Sequence, residues 1–176
     1  AFVYDTSIIS YTGRSFVWND SKDIFQREPF AAQFKSGRFD FILVNLHTRP
    51  KDAKSEIHAL EQVMKDADAY FADDNDVVIL GDYNADGSYF HETITTGFRS
   101  NTYYWVIDDS QDTTVAASSN TYDRIVFNRK FTMEDYSGKS GVFRFDEAFN
   151  LSHAEAKAVS GHYPVWAVFH TNRDTD

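Results

Sequence analysis

The chain has 176 residues, 42% of them hydrophobic and 16% aromatic, a formal charge of -10 and no cysteine. That length and composition predict one domain with an ample core. They exclude disulfides, a run approaching the ~18 apolar residues of a membrane span, and attraction to nucleic acid through bulk charge. An acidic chain can still act on phosphate, because metal ions held by carboxylates bring positive charge to a single cleft.

In chain order, residues 1–10 and 13–18 are β-rich around the turn-prone Ser10-Tyr11-Thr12-Gly13. This predicts a hairpin, with Ala1-Phe2-Val3-Tyr4 already inside a strand and without a charged leader. After the polar loop Asn19-Asp20-Ser21-Lys22-Asp23, residues 30–34 resume a strand, and Ser36-Gly37-Arg38 turns it into another that runs through Phe41-Ile42-Leu43-Val44 to Leu46-His47. Arg49-Pro50 breaks that strand, and Asp52 is the expected N-cap. Ala53, Ile57, Leu60, Met64, Ala67 and Phe71 recur at three- and four-residue steps, the stripe of an amphipathic helix of about five turns. Asp73-Asp74-Asn75-Asp76 ends it and Val77 opens a strand, so the segment reads as strand–helix–strand.

Beyond it, residues 91–98 predict a short helix, 103–107 a strand, and 121–127 another with Asp123 near its start. Between the last two lies a polar loop, 108–120, with no Gly or Pro. A loop of that length generally has a function or an ion that orders it. Residues 145–149 and 154–159 read as short helical or loop elements, and Ser160-Gly161-His162-Tyr163-Pro164 feeds a closing strand.

The chain is organised around Val77-Val78-Ile79-Leu80-Gly81-Asp82-Tyr83-Asn84-Ala85-Asp86, an apolar strand running into polar groups. Asp82 and Asn84, two apart in extended chain, share one side. Both a strand-tip site and a plain turn of Gly, Asp and Asn fit this stretch. His47, Asp123 and His162 also lie at strand ends, each bland alone. Together with Asp82 and Asn84 they suit metal-assisted phosphoryl chemistry, which needs a carboxylate for the metal, a base for water and an acid for the leaving oxygen.

Four runs carry a family resemblance: Val44-Asn45-Leu46-His47, Gly81-Asp82-Tyr83-Asn84-Ala85-Asp86-Gly87-Ser88-Tyr89, Tyr122-Asp123-Arg124-Ile125-Val126 and Ser160-Gly161-His162-Tyr163-Pro164-Val165. In order and spacing, and with Arg27-Glu28-Pro29, they resemble the deoxyribonuclease I family of the endonuclease/exonuclease/phosphatase superfamily. The resemblance implies an α+β fold, a two-layer β-sandwich flanked by helices (α/β/β/α), here lacking its N-terminal part. It implies a secreted, metal-dependent endonuclease that cuts DNA to 5′-phosphate ends. His47 would be the general acid, His162 the base and Asp123 its orienting partner. Asp82 would hold the catalytic Mg2+ or Mn2+, and Asn84 would donate to the scissile phosphate. Arg27 and Tyr89 would touch the DNA backbone. Asp112 and Thr114, with Ser118 a weaker match, would form a structural Ca2+ site, and Asp23 and Glu28 a second.

Two departures accompany the match. Gly161 stands where the family has a metal-binding Asp, and the family's first third is missing, with an Asn and two Glu of its metal and acid sites. The resemblance therefore implies a fragment, or one chain whose partner supplies the rest. It also leaves two other readings: a phosphoesterase of the same superfamily, and a catalytically inactive module that binds DNA, calcium or a protein.

Overall fold

The computed structural model describes every residue except Glu92, Thr96 and Asp176. Among the described residues there are eight strands: β1 (Ser10–Val17), β2 (Phe30–Ser36), β3 (Phe39–His47), β4 (Val77–Asp82), β5 (Tyr103–Trp105), β6 (Asp123–Asn128), β7 (Tyr136–Val142) and β8 (Val165–Phe169). The α-helices among the described residues are α1 (Ala53–Tyr70), α2 (Arg129–Thr132), α3 (Phe145–Ala148) and α4 (His153–Val159). A six-stranded sheet runs β1-β2-β3-β4-β6-β5, and β7 and β8 form a second sheet of two strands.

The predicted strand–helix–strand unit is β3–α1–β4, and its two strands pair in parallel. The three- and four-residue stripe of α1 buries Ile57, Leu60, Met64 and Ala67 against one face of the large sheet, where they meet Val44, Ile79 and Val126. Ile57, Leu60 and Ile79 are almost wholly enclosed, and each such side chain stabilises the fold by about 1.5–3 kcal/mol. On the other face Leu43, Val78, Leu80 and Phe127 pack against Tyr136, Val165, Ala167 and Phe169 of the small sheet. A third cluster, Val115, Phe145, Ala156 and Tyr163, fastens α3 and α4 to the loops around residues 113–115 and 161–163.

The first hairpin is not formed. Residues 1–9 contain no strand, and Gly13 lies inside β1, whose pairing with β2 shifts register between Tyr11 and Ser15, so that the predicted turn is a bulge. Asp52 sits at the N-cap of α1 without capping through its side chain, because a 3-10 turn, Pro50–Asp52, already leads into the helix; the carboxylate instead pairs with Arg49 at 3.3 Å. The helix expected over 91–98 lies partly outside the described residues, and the described ones hold only a 3-10 turn, Gly97–Arg99. β7 was invisible to pattern, since Tyr-Ser-Gly-Lys-Ser-Gly-Val has little β-branched or aromatic content, and its strand form comes from pairing with β8.

Candidate active site

One rung of the large sheet carries most of the site. In the β3–β4 register His47 lies opposite Asp82, and in the β4–β6 register Asp82 lies opposite Asp123. Gly81, on the neighbouring rung opposite Leu46, lets β4 approach β3 closely just before Asp82. Its φ is +141°, and a Cβ there would collide with the Leu46 carbonyl oxygen on β3. The fourth member comes from the far end of the chain. An isolated bridge pairs Thr114 with His162, and His162 Nδ1 lies 2.7 Å from Asp123 Oδ2. His47 Nε2 approaches Asp82 Oδ2 to 3.3 Å. The result is a row, His47–Asp82–Asp123–His162, drawn from three adjacent strands and the loop before β8.

Burial differs along the row in a way that matters for chemistry. The side chains of His47 and His162 are 53% and 38% exposed, whereas Asp82 and Asp123 keep only 18% and 16%. Two proton carriers thus face solvent from opposite ends of a recessed pair of carboxylates. Burial pushes the Asp82 carboxyl above the ordinary range; the Asn84 backbone N–H opposes this, and the Asp123 charge adds to it. The Asp123 hydrogen bond, chiefly, holds the His162 imidazole above its usual range against partial burial. One oxygen or nitrogen each from Asp82, Asp123 and His162 lies within 4.8 Å of the others. Two crowded, half-desolvated carboxylates are a donor set that fits a hard divalent cation, which would relieve their repulsion.

The remaining expected residues divide. Asn84, in a left-handed turn at φ +46°, faces inward with 4% exposed. Its amide donates to the Thr48 carbonyl at 3.0 Å, which ties the chain just beyond β3 to the chain just beyond β4. Arg27 donates to the His47 carbonyl at 3.3 Å, which puts an exposed cation on the rim. Tyr89 is 40% exposed on the same rim, its ring 5.9 Å from Tyr122, which in turn lies 6.0 Å from His162. Tyr122 was missed; its only signal is its place beside Asp123.

Around the 108–120 loop, Asp112 Oδ1 accepts from the Thr114 N–H and hydroxyl, both at 3.0 Å, and the Thr114 Oγ1 lies 3.2 Å from the Ser118 carbonyl. The structure therefore gathers Asp112, Thr114 and Ser118, the last through its backbone. It also places Arg144 3.7 Å from Asp112 Oδ2, a tethered cation at this cluster. Asp23 and Glu28 line one cavity of about 270 Å3, together with Asp52 and Arg49. Arg49, 3.3 Å from Asp52, stands in this cavity as Arg144 does beside Asp112, so each of the two expected calcium sites already holds a cation beside a carboxylate.

No family model matches the chain. It is 39% identical over 158 residues to deoxyribonuclease-1-like 1 of Cricetulus griseus, an alignment covering 86% of this chain and 51% of that protein. Against deoxyribonuclease-1 of Ovis aries it is 39% identical, covering 81% of this chain and 57% of that one. Against deoxyribonuclease gamma of Homo sapiens it is 36% identical, covering 94% and 57%. The chain spans about half the length of these relatives. Among solved structures it superposes on Danio rerio TDP2 complexed with a single-strand DNA product with a TM-score of 0.62 at 14% identity, covering 94% of this chain and 70% of that one. An endonuclease/exonuclease/phosphatase family protein from Bacteroides thetaiotaomicron gives 0.59 at 14% identity, covering 93% and 64%. Over the part of them that it spans, the chain is deoxyribonuclease I-like in sequence and has the endonuclease/exonuclease/phosphatase fold.

Proposed function

We propose that the chain is the larger part of a metal-dependent endonuclease that hydrolyses DNA phosphodiester bonds to 5′-phosphate ends. The observation that carries this reading is the row His47–Asp82–Asp123–His162, with an oriented imidazole at one end and a second imidazole at the other. Such a row offers a base and an acid on opposite sides of a phosphate seated over Asp82. The similarity to deoxyribonucleases supports DNA as the substrate.

In this reading His162 Nε2 takes the proton of the attacking water. Asp123, bonded to Nδ1, holds the ring in the tautomer that leaves Nε2 free and stabilises the imidazolium that forms. His47, whose Nε2 lies 3.3 Å from Asp82 Oδ2, gives a proton to the departing 3′ oxygen. Asn84 keeps the strand tips in register, and Arg27 and Tyr89 hold the flanking backbone. A Mg2+ or Mn2+ ion held by Asp82 would neutralise phosphate charge. Ca2+ would order the Asp112–Thr114 loop and, at a second site, the segment carrying Asp23 and Glu28; secretion belongs to the same reading. Gly161 leaves the metal set one carboxylate short of the family pattern, which lowers metal affinity and turnover and favours, as a second reading, a binding module.

Nicking of supercoiled plasmid with Mg2+ and Ca2+, abolished by chelator and by His162→Ala in a fold of unchanged melting temperature, is the expected result. DNA retention without nicking would establish the binding module. Release of phosphate from lipid or sugar phosphates, with DNA untouched, would establish a different phosphoesterase.

A further inference from the structure

Thr113 reaches no reacting position, yet it is wholly buried where the two segments carrying His162 and Asp123 cross. Its hydroxyl oxygen accepts from the backbone N–H of Tyr122 at 3.0 Å and of Asp123 at 3.1 Å, and it donates to the Asn120 carbonyl at 3.4 Å. A hydroxyl has one proton and two lone pairs, so all of its capacity is used. The backbone of the same residue reaches the other partner: the Thr113 carbonyl accepts from the Tyr163 N–H at 2.8 Å, one residue after His162. On either side the pairing continues, with Thr114 bridged to His162 and the Val115 N–H donating to the Gly161 carbonyl at 2.9 Å.

We propose that Thr113 is a positioning residue that sets the His162–Asp123 geometry, its hydroxyl fixing the backbone that carries Asp123 and its carbonyl fixing the backbone that carries His162. The inference rests on the reading of His162 as the base. Threonine suits the task because branching at Cβ restricts χ1, so the oxygen is aimed before either amide arrives. The separation it controls is the 2.7 Å contact between Nδ1 and Oδ2. Misplacement of a catalytic group by about 1 Å costs on the order of a hundredfold in rate, so a clamp on both backbones has a functional consequence that an ordinary buried hydroxyl lacks. Asp112 and Thr114 flank it, so the order of their loop reaches the site through this residue.

The test compares Thr113→Val, Thr113→Ser and Thr113→Cys by proton NMR of the His162 Nδ1–H and by plasmid cleavage. A short bond to a carboxylate places that proton far downfield in the wild-type chain. Valine keeps the shape and removes the acceptor; it is expected to lose the downfield resonance and to lower kcat by about tenfold or more with little change in KM. Serine keeps an acceptor for both amides and is expected to restore both. A folded Thr113→Val that retains the resonance, or a wild type that lacks it, overturns the proposal. If valine prevents folding, cysteine decides, since sulfur is a weak acceptor. Loss of the resonance in cysteine but not serine supports the clamp, and equal behaviour of the two overturns it. The NMR comparison needs no turnover, so a wild type that cleaves no DNA refutes the nuclease reading while leaving the Thr113 result to stand or fall by itself.

Discussion

Replacing Asp123 by Asn isolates what the carboxylate does for His162. The 2.7 Å contact is a charge-assisted hydrogen bond to a carboxylate that is only 16% exposed. Bonds of that kind contribute about 1.5–3 kcal/mol, which at about 1.4 kcal/mol per factor of ten is a loss of roughly ten- to a hundredfold in kcat. If the Asn amide donates to Nδ1, the imidazole is turned to the wrong tautomer and the loss approaches about four powers of ten. The pH dependence has a definite sign. Asp123 is the main cause of the raised His162 pKa, and a base acts only when neutral, so the variant's acid limb moves to lower pH. A raised histidine pKa stabilises the fold below about pH 6.5, and this is lost as pH rises through the folded value. Asp123→Asn therefore destabilises more in acid than in alkali. The assay is plasmid nicking from about pH 5.5 to about pH 9, with an NMR titration of His162 as a readout independent of turnover. A variant within twofold of wild type whose His162 titrates at an unmoved pH would refute the reasoning.

Gly161→Asp meets nothing within 4 Å of the added Cβ, so melting should hold within about 0.5 kcal/mol, while calorimetry shows Mg2+ or Mn2+ affinity rising tenfold or more. Unchanged affinity would remove Gly161 from the account of the site. Asp68 is pushed up to about 6, chiefly by burial and then by Asp74, and its Oδ1 has no hydrogen-bond partner among the described residues. Stability attached to it is present below about pH 4 and lost as pH rises through about 6; discounted for partial exposure, Asp68→Asn should add about 1 kcal/mol at neutral pH in urea unfolding and nothing near pH 4. A gain that is the same at both pH values would contradict this. Chelation should expose residues 112–120 to protease if a cation orders that loop, and Arg144→Ala should increase the effect by removing the tethered charge beside Asp112. Digestion identical with and without chelator would show that protein contacts alone order it. Leu60→Ala, at a site with no solvent contact, should cost about 2–5 kcal/mol in the same unfolding assay.

Local pattern determined the parts of this protein where period and chemistry are printed in neighbouring residues. The α1 stripe, the apolar run Phe41-Ile42-Leu43-Val44 and the apolar run into Gly81-Asp82 made the β3–α1–β4 unit legible, and the four motif runs singled out His47, Asp82, Asp123 and His162. What pattern could not supply was register, which depends on which residues meet across strands far apart in the chain. Only the folded sheet puts His47, Asp82 and Asp123 on one rung. Only the return of the chain after α4 brings His162 onto Asp123. Asn84 shows the same limit from the other side: its spacing from Asp82 was readable, but whether its amide faced outward or bonded Thr48 depended on where the tip of β3 lay. Thr113 is an extreme case, a single hydroxyl in a polar loop whose meaning exists only because Tyr122, Asp123 and Asn120 close around it. Hydrophobic period is a property of a segment and survives in the sequence, whereas the convergence of polar groups belongs to the tertiary fold, because it is made by partners that no window of sequence contains together.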